Sequence, residues 1–163
     1  MFLINSLFQS NTIGSYEFYN LFASNATLVR APLLPSPTLS PHCYDSMFLN
    51  CYGLVKAPKI LATTYSDHSC ANMFSGCSAL REVPELNVTT FSDHSCSYMF
   101  SDCITLKTFP ILKANKLYSY CCEHMFDSCY LLERVGGLPA MELANNCYSY
   151  MFHKCYSICN NRL

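Results

Sequence analysis

This 163-residue chain carries little charge. Charged residues make up 13% of it and the formal net charge is −1. That excludes the strong basic excess by which nucleic-acid-binding domains are usually recognised. No apolar run reaches the ~18 residues of a membrane span. The opening "MFLINSLF" has no positively charged leader and no small-residue cleavage site, so it does not read as a signal peptide. A Gly-rich phosphate loop, a G-x-S-x-G elbow and an H-E-x-x-H motif are all missing. No Cys-x-x-Cys pair faces a second one, and the neighbours Cys121 and Cys122 fit no standard zinc-finger spacing, so neither metal nor cofactor is expected. What the chain does have is apolar residues, at 51%, and 12 cysteines.

The cysteines are periodic. Met47-Phe48 precedes Cys51, Met73-Phe74 precedes Cys77, Met99-Phe100 precedes Cys103, Met125-Phe126 precedes Cys129 and Met151-Phe152 precedes Cys155, each step being 26 residues (73 − 47 = 26). One step back lies Leu21-Phe22, with Asn25 in the cysteine position. Units starting near 21, 47, 73, 99, 125 and 151 therefore tile the chain, and 1–163 reads as one solenoid domain. The same phase holds Leu28, Leu54, Leu80, Leu106, Leu132 and Ile158, then a proline at 32, 58, 84 and 110, then Leu34, Ile60, Leu86, Leu112 and Leu138.

Within a unit, Tyr65, Cys70, Met73, Phe74 and Cys77 gather on one side of a 3.6-residue period, opposite His68, Asn72, Ser75 and Gly76. This predicts an amphipathic helix of about three turns, with Ser40, Ser66 and Ser92 as N-caps, Pro41 at a first helical position and Asp67 and Asp93 just inside. The proline-bearing segment that follows predicts a strand of roughly 3–5 residues. Strands stack about 4.8 Å apart and helices about 8–10 Å apart, so such a stack must curve. The expected fold is α/β: a right-handed solenoid with one short strand and one helix per unit and a parallel sheet on its concave side.

The pattern Met-Phe-x-x-Cys-x-x-Leu-x-x-x-Pro-x-Leu resembles the BspA-type leucine-rich repeats of bacterial surface proteins and lipoproteins. It is most similar to the 26-residue variety with "CYxxMFxxC" units, present here as "CYDSMFLNC" and "CYSYMFHKC". The resemblance covers about residues 13 to 158. It implies a cell-surface or extracellular adhesion or binding module with a protein or glycan partner. The start of the sequence does not read as a clear export signal or lipoprotein cysteine, which departs from that pattern.

Cys51, Cys77, Cys103, Cys129 and Cys155, and a second set comprising Cys43, Cys70, Cys96, Cys121, Cys122 and Cys147, read as buried, reduced core residues. Disulfides are the rival reading: Cys70 and Cys77 would lie about 10 Å apart along a helix, too far to bridge, while Cys155 with Cys159 stays open. The string "SDHSC" at 66–70 and 92–96 tempts a catalytic reading of His68 and His94. It recurs as a property of the unit, whereas an active site is a single event. The triplets beginning at Asn25 and Asn87 match the glycosylation pattern and are read as chance.

Arg30, Lys56, Lys59, Arg81, Lys107 and Arg134 all fall on the expected strand side, joined by Glu82, Glu85 and Glu133, whereas Asp45, Asp67, Asp93, Asp102, Glu123 and Asp127 fall on the helices. Solubility of short strands explains this segregation as well as function does. The functional reading is a mildly basic concave face for an acidic partner. A non-enzymatic interaction module is therefore expected. The alternatives are a structural component of a larger surface or virion assembly, which would self-associate, and a thiol enzyme or redox sensor. The end at "CYSICNNRL" fits either a capping unit or a solenoid that continues.

Overall fold

The computed structural model describes Phe8 and residues 12–83, 85–109 and 111–158. Its regular elements are six two-residue strands: β1 (Thr38–Leu39), β2 (Thr64–Tyr65), β3 (Thr108–Phe109), β4 (Lys116–Leu117), β5 (Arg134–Val135) and β6 (Glu142–Leu143). They pair in parallel as β1 with β2, β3 with β5 and β4 with β6. Every partner lies one 26-residue period away, as in Thr38 opposite Thr64, Thr108 opposite Arg134 and Lys116 opposite Glu142. Single bridges Arg30–Lys56, Lys56–Glu82, Leu34–Ile60 and Thr64–Thr90 keep the same register. Parallel pairs between successive coils are the mark of a repeat solenoid.

The expected helices are absent among the described residues. Each of those segments is instead a ribbon of overlapping turns. In residues 41–51 alternate amides close four-residue turns within the coil, as in Cys43 N–H to Ser40 O (3.2 Å) and Met47 N–H to Tyr44 O (3.1 Å). The amides between them donate to the next coil: Tyr44 to Ser69 O (2.9 Å), Ser46 to Ala71 O (2.9 Å), Phe48 to Met73 O (2.9 Å). A helix would use all these N–H groups within one segment. The ribbon sends every second one across to its neighbour.

Backbone conformation allows it. Every fourth residue has positive φ: His42, Ser46 and Asn50 in one coil, then His68, Asn72 and Gly76, then His94, Tyr98 and Asp102. A left-handed third residue is the requirement of a type II turn, and Asn, Asp and His are enriched in that region. The serines read as helix caps start these turns, Ser66 O accepting Ser69 N–H at 3.1 Å. Pro41 supplies the fixed φ favoured at the second turn position.

The core follows the predicted phase. Met47, Phe48, Cys51 and Leu54 are fully buried, as are their equivalents Met73, Phe74, Cys77 and Leu80. Phe22, Phe48, Phe74, Phe100, Phe126 and Phe152 form one continuous stack, with centroids 5.4–5.8 Å apart and rings within 9° of parallel. Ribbons thus repeat at nearly the strand spacing. The 8–10 Å helix spacing from which curvature was argued does not arise, and with it goes the reason for expecting a concave side.

Candidate interaction face

The six basic residues singled out from the sequence are all exposed. Arg30, Lys56 and Arg134 occupy one bridge line, with Glu82 and Thr108 at the equivalent positions. Arg81 and Lys107 precede that line by one residue, and Lys59 follows it. Part of the positive charge is already paired: Lys56 Nζ lies 2.8 Å from Glu82 and Lys107 Nζ 3.9 Å from Glu133. Two cations outside the predicted set share this side, Lys113 with Glu85 (2.9 Å) and Lys116 with Glu142 (3.2 Å). Their columns were not distinguishable as strand-side from a single unit. Among the described residues, Arg30, Lys59, Arg81 and Arg134 have no carboxylate at ion-pair distance.

Arg30 and Lys56 border a groove of about 570 Å³ lined also by Val29, Ala31, Val55, Ala57 and Glu82. Val29 and Val55 keep 54% and 41% of their surface exposed there, and Leu33 and Leu61 are exposed nearby. This end of the bridge face combines an apolar floor with a charged rim made of Arg30 and the Lys56–Glu82 pair.

The opposite, ribbon side carries the histidines. Left-handed positions 26 residues apart hold Tyr16, His42, His68, His94 and Tyr120, whose rings stack at 4.5–4.7 Å. Tyr98, His124 and Tyr150 form a second stack. The expectation that His68 and His94 belong to the outer side of the unit holds in a modified form, since both are half-buried against their neighbours. His42, Asp67 and His68 bring ligand atoms within 4.8 Å of one another. The two imidazoles are only 11° from parallel, so their lone pairs run side by side and do not meet at one ion. His124 and His153 both place Nδ1 on Asp127, at 2.7 and 3.0 Å. Burial works against the Asp127 charge, but those bonds and one from Ser128 outweigh it and hold the carboxyl below its ordinary range.

Eleven cysteines are described and all are buried; apart from Cys155 they are free thiols. Each thiol of the main column donates to a phenylalanine carbonyl one coil back: Cys51 to Phe22 O (3.0 Å), Cys77 to Phe48 O (3.1 Å), Cys103 to Phe74 O (3.2 Å), Cys129 to Phe100 O (3.1 Å) and Cys155 to Phe126 O (3.0 Å). Burial pushes the Cys77 thiol up to about 12, unsuited to thiolate chemistry at neutral pH. Cys121 is the exception, its hydrogen bond with Cys122 lowering it. Cys159 lies outside the described residues, so its pairing with Cys155 is not decided.

No family model matches the chain, and no curated protein does. Solved structures similar to it include a leucine-rich repeat protein from Bacteroides ovatus, with 22% identity, 64% of this chain and 25% of that one covered, and a TM-score of 0.43. A leucine-rich cell surface protein from Faecalibacterium prausnitzii has 19% identity over 64% of this chain and 32% of its own, with a TM-score of 0.40. The leucine-rich repeat protein of T. pallidum has 13% identity, covers 80% of this chain and 75% of its own, and has a TM-score of 0.31. The chain thus spans a quarter of the length of the first and about a third of the second. Among the described residues, no helix is long and apolar enough to cross a membrane.

Proposed function

We propose that the whole chain, 1–163, is one repeat solenoid acting as a non-enzymatic interaction module, and that its bridge side takes an acidic protein surface. The observation that carries this reading is the apolar groove at Val29 and Val55 beside the unpaired Arg30, with Lys59 unpaired on the same side. Exposed ion pairs contribute about 0–1 kcal/mol, so Lys56 and Lys107 can exchange Glu82 and Glu133 for a partner's carboxylates at little cost. Arg134 adds a cation on the same bridge line in a later coil, and Arg81 adds one beside Glu82, a residue off that line. The surface-protein resemblance adds an extracellular or cell-surface setting to this proposal.

The test is binding of a labelled peptide of alternating glutamate and leucine, followed at two ionic strengths. Arg30→Glu with Lys59→Glu should weaken binding and flatten its salt dependence, because fewer attractions remain to be screened. Asp67→Asn with Asp93→Asn, on the ribbon side, should leave affinity unchanged. Normal binding by the bridge-side variant together with loss in the ribbon-side variant would move the site to the histidine face.

A further inference from the structure

Local spacing dismisses zinc, yet stacking joins residues that are 26 positions apart. The second cysteine column occupies one of two adjacent offsets: three residues before the methionine at Cys70 and Cys96, four before it at Cys43 and Cys147. Only the unit of Met125 fills both, with Cys121 and Cys122. Two backbone bonds tie this pair to the coils on either side, Cys96 N–H to Cys121 O (2.9 Å) and Cys122 N–H to Cys147 O (3.0 Å). Four buried cysteines on three successive coils are thereby held at neighbouring backbone positions.

These thiols differ from the main column. The main-column cysteines are committed to phenylalanine carbonyls, whereas Cys121 and Cys122 contact each other, with sulfurs 3.9 Å apart. Zinc–sulfur bonds are about 2.3 Å, so two thiolates on a tetrahedral ion stand about 3.8 Å from each other. The pair already has the separation of one edge of such a tetrahedron. Soft thiolate ligands select d¹⁰ ions over hard ones.

We propose that Cys96, Cys121, Cys122 and Cys147 form a binding site for a thiophilic divalent ion of the zinc or cadmium type. Cys121 and Cys122 supply the first edge, and Cys96 and Cys147 must move toward it to complete the shell, since no three of these sulfurs lie within 4.8 Å of one another. Binding exchanges S–H for S–metal bonds and releases one proton per ligating thiol, with no change of oxidation state. The ion would clamp three coils together and stabilise the fold against denaturation.

The experiment uses the full chain, metal-free and reduced with a phosphine. Titration with Cd²⁺ should raise thiolate-to-cadmium charge-transfer absorbance to a plateau at about one equivalent, reversed by Zn²⁺. Cys121→Ser with Cys122→Ser should abolish the plateau, while Cys70→Ser, which removes a buried thiol from the same column, should keep it. No saturable signal in the unsubstituted chain, or an unchanged plateau in the double variant, overturns the proposal. Should the double variant fail to fold, alkylation of the unsubstituted chain decides: Cd²⁺ must slow modification of Cys121 and Cys122 relative to Cys77, and equal slowing at all three overturns the site.

Discussion

A cysteine recurs at 51, 77, 103, 129 and 155 because that position asks for two things together. The side chain must be small enough for a fully buried bend leaving the ribbon, and it must offer a weak donor to the phenylalanine carbonyl of the coil before. Cys77→Ala keeps the size and loses the donor, and should cost about 1 kcal/mol. Cys77→Asp buries an unpaired charge and should cost more than about 3 kcal/mol or prevent folding. Denaturant unfolding measures both. Because the cysteines from Cys43 to Cys147 are free thiols, the core columns should need no disulfide, and reductant should leave the melting temperature of a Cys159→Ser variant unchanged; a large drop would show disulfides instead. Asp127 behaves differently, since its carboxyl is held below the ordinary range. A depressed carboxyl adds stability that is present above the unfolded value of about 3.9 and is lost as pH falls through the folded value. Asp127→Asn should therefore lower the melting temperature at pH ~7, and the gap to the unsubstituted chain should narrow as the pH is taken below the ordinary carboxylate range. An equal gap at both pH values would remove the ionic role.

At the scale of the element, inward and outward residues were legible from the sequence while the backbone was not. A turn ribbon repeats every four residues and an α-helix every 3.6, so over a segment such as 65–77 both place Cys70, Met73, Phe74 and Cys77 inside. Apolar periodicity cannot separate them. The discriminating signal was the residue type at every fourth position: His68, Asn72 and Gly76 are poor helix-interior residues and good left-handed ones. The exposure of the basic residues was legible too, but not their pairing with Glu82 and Glu133, which depends on neighbours one coil away. The two backbones predict opposite signs for one substitution. In a helix, Gly76→Ala stabilises by about 1 kcal/mol. In the ribbon Gly76 has a φ of 72°, and a Cβ there would run into the Asn50 side chain. Gly76→Ala should then destabilise by at least about 1–2 kcal/mol, and Asn72→Ala should also destabilise, whereas Asn72→Gly should be close to neutral. Thermal denaturation of the three variants reads the sign.

At the scale of the whole molecule, the ribbon, the bridge lines and the phenylalanine stack share a single 26-residue register. Each coil satisfies backbone groups of its neighbours, as Phe48 N–H does with Met73 O, and stability becomes a sum of coil and interface contributions. The stack can also be tested by coupling: Phe74→Ala and Phe100→Ala, rings 5.4 Å apart, should each cost about 3–5 kcal/mol, with an interaction energy of about 0.5–1.5 kcal/mol in a double-mutant cycle. The most direct measurement of the shared register is a pair of deletions. Removing Met73 to Tyr98, one full period, joins equivalent positions and leaves every bridge line in phase, so the shortened chain should still unfold cooperatively, at a lower denaturant concentration. Removing only 73–85 from the same place sets bridge residues against ribbon residues and polar side chains against the core, and should abolish folding. Equal tolerance of the two deletions, or failure of the full-period deletion while the half-period one folds, would contradict a solenoid held in a 26-residue register.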